Sequence, residues 1–260
     1  MNLSFENKIV LITGGLGNLG SEIVKNFISS NAKRIIVIDK DPKLLEKLKK
    51  YNDEQILFLE LDLENFAIDK RLLLKPIKEN GGIDILINNA AFVGQSKLKN
   101  WNTDYINQSL ETWDMAHHLN LTVPNELIKF LLPYFRNDIS TSSILNISSI
   151  YGTLAPRWNL YKDLPMNNPA AYNTSKAGLI QLTKYLASYL GQQNIRVNAL
   201  SPGGIAGGQP KTFVNRYKKL TPLNRMATFE EIGRIACIIN HDTFSYLNGH
   251  NLVIDGGFSI

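Results

Sequence analysis

Tyr172 and Lys176, in the run YNTSK, stand four apart and so share one helical face. A phenol ionises near pH ~10, too high for a base at neutral pH, and a neighbouring ammonium favours the phenolate and lowers that value. Such a pair can pass a proton to or from a carbinol oxygen while a hydride moves in the opposite sense. Tyr-x-x-x-Lys alone is common on ordinary helix faces, so its weight depends on what accompanies it.

Its companion is TGGLGNLG, residues 13–20, which follows the apolar run KIVLIT. Gly15, Gly17 and Gly20 fit the dinucleotide pattern G-x-G-x-x-G, and Thr13, Gly14, Gly17 and Gly20 also fit T-G-x-x-G-x-x-G. In a strand-to-helix turn such glycines let the backbone approach a diphosphate, and the helix N-terminus that opens near Asn18 and Leu19 supplies free N–H groups and partial positive charge. Asp39 ends the second apolar run, where a carboxylate can bind both adenosine ribose hydroxyls. It repels a 2′-phosphate, which makes NAD the expected cofactor. Lys40 beside it could tolerate that phosphate, so NADP stays as the less favoured alternative.

These residues need a frame. Short runs rich in Ile, Leu and Val recur at 8–13, 34–39, 56–61, 83–88, 143–148, 195–200 and 250–255. Amphipathic segments lie between them at 19–30, 42–50, 66–79, 103–135, 170–191 and 229–240. Apolar strands alternating with helices predict an α/β fold, a doubly wound parallel sheet of Rossmann type. No repeat, low-complexity tract or linker divides the chain, so residues 1–260 read as one domain. Pro124 should kink the long helical segment near Asn120.

The net charge of +5 suggests nucleic acid only until its distribution is read. No Asp or Glu falls between Asp163 and Glu230, whereas Lys176, Lys184, Arg196, Lys211, Arg216, Lys218, Lys219 and Arg225 do. A basic zone in one segment fits a local anionic ligand better than a long polyanion; a solvated basic face is the bland alternative. No apolar stretch approaches the ~20 residues of a membrane span. Asn7 and Lys8 lead straight into Ile9–Ile12, unlike a signal peptide. Cys237, the single cysteine, allows no internal disulfide and reads as a buried helical thiol. The expectation is a cytoplasmic protein without nucleic-acid, membrane or metal partners. His117 and His118 read as packing residues.

With NISS before the tyrosine, INNAA after the fourth strand, and SPGG and VIDGG downstream, the chain resembles the short-chain dehydrogenase/reductase family from Lys8 onward. The resemblance implies that Tyr172 is the general acid/base and that Lys176 binds the nicotinamide ribose and tunes it. It implies that Ser149 orients the substrate oxygen and that Asn120 holds a proton-relay water. Asn89 and Ala90 resemble the segment lining the adenosine ribose, with Ala91 in place of a usual glycine. Asp62, followed by Leu63, resembles the residue touching adenine. Pro202 and Gly203, with Ile205, match the loop flanking the nicotinamide. Gly207 stands where a threonine is usual, so the carboxamide contact there must come from backbone or another hydroxyl. The family also pairs the Asn120 and Tyr172 helices into homodimers or homotetramers.

Two branches of that family meet here. Between Ser149 and Tyr172 runs IYGTLAPRWNLYKDLPMNNPAA, longer than most classical-length members have and similar to the branch that works on nucleotide sugars. The insert, about 153–168, carries Arg157, Trp158, Tyr161 and Lys162; the usual substrate lid, about 204–228, carries Arg216 and Lys219. Aromatics and cations at the rim of a site suit a sugar ring and its anionic group. The expected activity is NAD(H)-dependent interconversion of a secondary alcohol and ketone on an anionic or nucleotide-activated sugar, similar to bacterial flagellin and surface-glycan (nonulosonic acid) enzymes. The alternatives are a 3-oxoacyl-carrier-protein reductase, whose acidic partner would also suit the basic zone, and a non-catalytic dinucleotide-binding sensor or scaffold.

Overall fold

Every expected apolar run becomes a strand. In the computed structural model, which describes residues 3–48, 53–65, 70–92, 98–137 and 140–260, they are β1 (Ile9–Thr13), β2 (Arg34–Asp39), β3 (Ile56–Glu60), β4 (Ile85–Asn88), β5 (Ser142–Ile147), β6 (Ile195–Pro202) and β7 (Asn251–Ile254). They form one sheet in the order β3-β2-β1-β4-β5-β6-β7, parallel at every pairing. Side chains alternate between its faces. Ile9 and Leu11 of β1 join one apolar cluster, Val10 and Ile12 the other.

Helices cover both faces. Among the described residues these are α1 (Asn18–Ser29), α2 (Leu74–Glu79), α3 (Leu110–His117), α4 (Val123–Leu131), α5 (Ala170–Leu190), α6 (Lys211–Leu220) and α7 (Phe229–Ile238). Ile23, Val24 and Phe27 of α1 pack with Ile232 and Ala236 of α7 on one face. Leu127, Ile128 and Leu131 of α4 and Leu186 and Leu190 of α5 fill the other. Cys237 is buried, its thiol pushed up to about 12 by burial, as a core position requires.

Three segments depart from the periodic reading. Residues 42–47 wind as a 3₁₀ helix, and the expected helical stretches at 42–50 and 66–79 fall partly outside the described residues. The single helix expected over 103–135 is two, α3 and α4, joined by a π turn at His118–Thr122. Pro124 explains the break: it has no N–H for the Asn120 carbonyl four residues back, and its ring crowds that oxygen. Lys211–Leu220 forms α6 where no element is predicted, since only Phe213, Val214, Tyr217 and Leu220 make its apolar stripe.

Strand order reverses between β1 and β4, on either side of which the chain winds outward. At such a switch point the strand carboxyl ends splay around a crevice that binds ligands. The residues following those ends are Gly14, Lys40, Asn89, Ser148 and Gly203. The fold thus gathers segments far apart in sequence along one rim.

Candidate active site

A cavity of about 810 Å³ runs along that rim, lined at one end by Gly14, Gly17, Asn18, Leu19, Gly20 and Asp39 and at the other by Ser149, Tyr172 and Lys176. Asn89, Ala90, Ala91, Pro202, Gly203 and Ile205 lie between them.

The glycine end is built by close approach. Gly14 holds a left-handed φ of +62°, and a Cβ on Gly20 would lie 2.0 Å from the Gly14 carbonyl. Helix α1 therefore begins hard against the β1 turn, capped by Gly17 with no side-chain cap and no acid in its first turn. Its free N–H groups face the cavity, as an anion site requires. The Thr13 hydroxyl accepts from the main-chain N–H of Asn89 and Ala90 at 3.0 and 3.1 Å, and the Asn89 amide donates to the Thr13 and Gly14 carbonyls. The loops after β1 and β4 are thus tied together. Asp39 accepts from Leu16 N–H at 3.0 Å, which sets its carboxylate beside the glycine turn. Lys40 turns to Glu64, 2.7 Å away, an ion pair that keeps its ammonium charged. Lys40, Asp62 and Leu63 are not among the residues lining the cavity, and Leu63 is part of the core.

At the other end, β5 delivers Ser149 and α5 delivers Tyr172 and Lys176. The Lys176 ammonium is buried, donates to the Ile147 carbonyl at 2.8 Å, and lies 5.9 Å from the Tyr172 ring centroid. Ser148 donates to the Lys176 carbonyl at 2.9 Å, locking strand end to helix. Burial without a counter-charge pulls Lys176 down to about 7. Burial also raises the Tyr172 phenol, with the Ser149 hydroxyl acting in the opposite sense. The expected lowering of the phenol by its lysine is corrected here: desolvation dominates both groups, and Tyr172 is held protonated.

Asn120 is buried and wholly engaged. It accepts from Phe92 N–H at 2.7 Å, and its amide donates to the Phe92 carbonyl at 3.2 Å and to Ser175 at 3.0 Å; Ser175 donates to the Tyr172 carbonyl. Its side chain staples the loop after β4 to helix α5. The carbonyl that Pro124 deprives of its helical donor belongs to the same residue. His117 and His118 bond to Trp113, Thr174 and Glu64, in keeping with packing roles.

The basic zone dissolves on inspection. None of Arg157, Trp158, Lys162, Arg216 and Lys219 lines the cavity. Arg157 donates to the Phe258 carbonyl at 3.0 Å and stacks over that ring at 4.7 Å. Arg216 donates to the Leu160 and Lys162 carbonyls. Arg196 is buried on the Leu247 and Asn240 carbonyls, and Arg225 forms a two-pronged pair with Glu231. Trp158 is 58% exposed, and Lys162 and Lys219 are exposed. A chain pattern shows charge density, whereas main-chain carbonyls that consume guanidinium groups leave no mark in it.

The substrate side is lined instead by Tyr161, which the sequence reading names on the insert, and by phenols, amides and apolar groups that it does not single out: Tyr151, Asn168, Gln209, Phe213 and Tyr217. Leu160 and Tyr161 of the insert pack with Phe213, Tyr217 and Phe258 in a third apolar cluster. Spacing could have flagged Phe213 and Tyr217 as one helix face. At the position lacking the usual threonine, Gly207 N–H donates to Gln209 Oε1, and Gln209 Nε2 donates to the Ile205 carbonyl, both at 2.8 Å.

This geometry has close counterparts. A family model described as enoyl-(acyl carrier protein) reductase matches residues 16–259. The chain is similar to a 7alpha-hydroxysteroid dehydrogenase of Bacteroides fragilis, 28% identical over 98% of this chain and 96% of that one. It is likewise 28% identical to post-translational flagellin modification protein A of Campylobacter coli, over 98% of this chain and 99% of that one. Among solved structures, a short-chain dehydrogenase of Leptospira borgpetersenii with bound NAD+ superposes with a TM-score of 0.84 at 32% identity, covering 99% of this chain and 94% of that one. With a parallel sheet that splays at a switch point, a glycine turn at one end of the cleft and a serine, tyrosine and lysine at the other, the chain belongs to the short-chain dehydrogenase/reductase family of NAD(P)-dependent oxidoreductases.

Proposed function

We propose that the protein is an NAD(H)-dependent oxidoreductase that interconverts a secondary alcohol and a ketone on a sugar-like substrate bearing an anionic or nucleotide group. One observation carries this reading: a single cleft joins Asp39 and the glycine turn to Ser149, Tyr172 and Lys176, over a wall of phenols and amides suited to hydroxyl groups. A nicotinamide dinucleotide bound there supplies the hydride acceptor or donor. Asp39 and the pairing of Lys40 with Glu64 favour a free ribose diol over a 2′-phosphate.

In reduction, the protonated Tyr172 phenol gives its proton to the substrate oxygen while the carbonyl carbon gains hydride, and Ser149 holds that oxygen by hydrogen bond. In oxidation, the alcohol proton passes to the Tyr172 phenolate, which the Ser149 hydroxyl stabilises by hydrogen bond. The Asn120 carbonyl, lacking its helical donor, is placed to hold a water that relays this proton. Lys162 and Lys211 each follow a residue of the cavity wall, so an anionic group extending past the rim meets positive charge without entering the cleft. The exposed Trp113 of α3 and the exposed Tyr185 and Tyr189 of α5 suit pairing of these helices between copies, a homodimer or homotetramer that sedimentation would show.

The test is a screen of nucleotide sugars, including CMP-activated acidic sugars, with each nicotinamide cofactor beside acyl thioesters of carrier protein. Turnover of a sugar with NAD or NADH is expected. Efficient reduction of an acyl thioester with NADPH would overturn this reading in favour of a carrier-protein reductase.

A further inference from the structure

The insert contributes Tyr161 and Asn168 to a chain of hydrogen bonds whose direction is fixed at its Asn173 end. Asn173, beside Tyr172 on α5, donates through Nδ2 to the Pro169 carbonyl at 2.8 Å and to Oδ1 of Asn168. A carbonyl only accepts, so the Asn173 amide cannot turn over, although its Oδ1 is left buried without a partner among the described residues. Asn168 therefore offers Oδ1 to Asn173 and Nδ2 to Tyr161, donating to that hydroxyl at 3.0 Å. Tyr161 Oη in turn lies 2.7 Å from Tyr151 Oη. A single proton fills that gap. Tyr161 already accepts from Asn168, and its oxygen can share the remaining gap proton with Tyr151 from either side.

Two hydroxyls bring two protons to a gap that takes one, so one proton of the pair is left over, and both tyrosines line the cavity. Tyr151 lines the cavity together with Ser149 and Tyr172, and its main-chain N–H donates to the Ser149 hydroxyl at 3.2 Å. We propose that Tyr151 holds the left-over proton and donates it in a hydrogen bond to a second substrate oxygen, on the carbon next to the reacting one, and that Tyr161 of the insert is the positioning residue that fills the gap with its own proton. The site then selects α-hydroxy ketones and vicinal diols over isolated ketones and alcohols. This inference rests on the alcohol–ketone reading of the cleft.

The test compares NADH-dependent reduction of 2-hydroxycyclohexanone and cyclohexanone by the wild type, Tyr151→Phe and Tyr161→Phe. The wild type is expected to favour the hydroxylated ketone by about tenfold in kcat/KM. Tyr151→Phe should bring that ratio close to one, any common change in rate cancelling in the ratio, and Tyr161→Phe should give an intermediate ratio. A loss of packing would lower both ketones together and leave the ratio alone. The inference is overturned if both ketones are reduced and the Tyr151→Phe ratio equals that of the wild type. If the wild type reduces neither, the alcohol–ketone reading fails, and the inference fails with it.

Discussion

The two halves of the cleft are built differently. The cofactor half uses short-range devices: a glycine turn, a helix start and a strand-end carboxylate, all between Thr13 and Asp39, with Asn89 tied across from β4. The substrate half joins the insert, α6 and the tail at Phe258, and its ties are mostly side chain to distant carbonyl. Side chains in the first half are aimed by backbone geometry. In the second they are aimed by one another, so their identity says less about what they do.

The sharpest break between the halves is Tyr172→Phe. Turnover should fall by about 10³-fold, while binding of the dinucleotide, followed by its fluorescence, stays as in the wild type. Intact turnover would remove Tyr172 from the chemistry.

Lys176 gives the next largest effect, on stability. Its pKa is about 7 in the fold against an ordinary 10.5, so between those values the unfolded chain binds more protons than the folded one. Stability of the free protein should therefore rise with pH across that window, by on the order of 1 kcal/mol per pH unit, and should level off below it. Lys176→Met, read by urea unfolding at several pH values, should lack this rise. Activity has its own sign: because Tyr172 is raised, alcohol oxidation should climb with alkalinity, whereas carbonyl reduction should hold until the phenol ionises.

Asp39→Asn acts only on the cofactor half. The ratio of kcat/KM for NAD over NADP should drop by about tenfold or more as the repulsion of a 2′-phosphate is lost. An unchanged ratio would place cofactor choice elsewhere.

The smallest effects distinguish ties from ligands in the substrate half. Arg216→Ala should cost about 1–2 kcal/mol of stability by stranding the Leu160 and Lys162 carbonyls. Lys219→Ala, on an exposed side chain, should change stability by under about 0.5 kcal/mol. Were Arg216→Ala to raise KM for an acidic sugar and leave stability untouched, the anion-ligand role would stand instead.

Legibility followed the same division. All seven strands, the glycine turn, Asp39 and the Tyr172–Lys176 pair could be read from periodicity and spacing, because each is a local pattern in the chain, whereas Ser149 comes only through the family resemblance. The π turn could be anticipated only as a kink at Pro124. Helix α6 was hidden by its low apolar content. The direction of the phenol shift was misjudged because burial, which no local pattern encodes, raises the phenol and pulls the neighbouring lysine down to about 7. The fate of Arg157 and Arg216 was equally closed, since their acceptors lie on segments far along the chain.

Phe258 carries a consequence for the order in which the molecule is made. Its ring stacks on Tyr217 at 4.6 Å on one side and meets Arg157 on the other, and the Arg157 bond to its carbonyl spans 101 residues. During synthesis, β1, β2 and the glycine turn emerge early and can assemble while translation continues. The wall facing the substrate has to wait until the segment that carries Phe258 has left the ribosome. A nascent chain would acquire its dinucleotide pocket well before any surface able to discriminate between substrates.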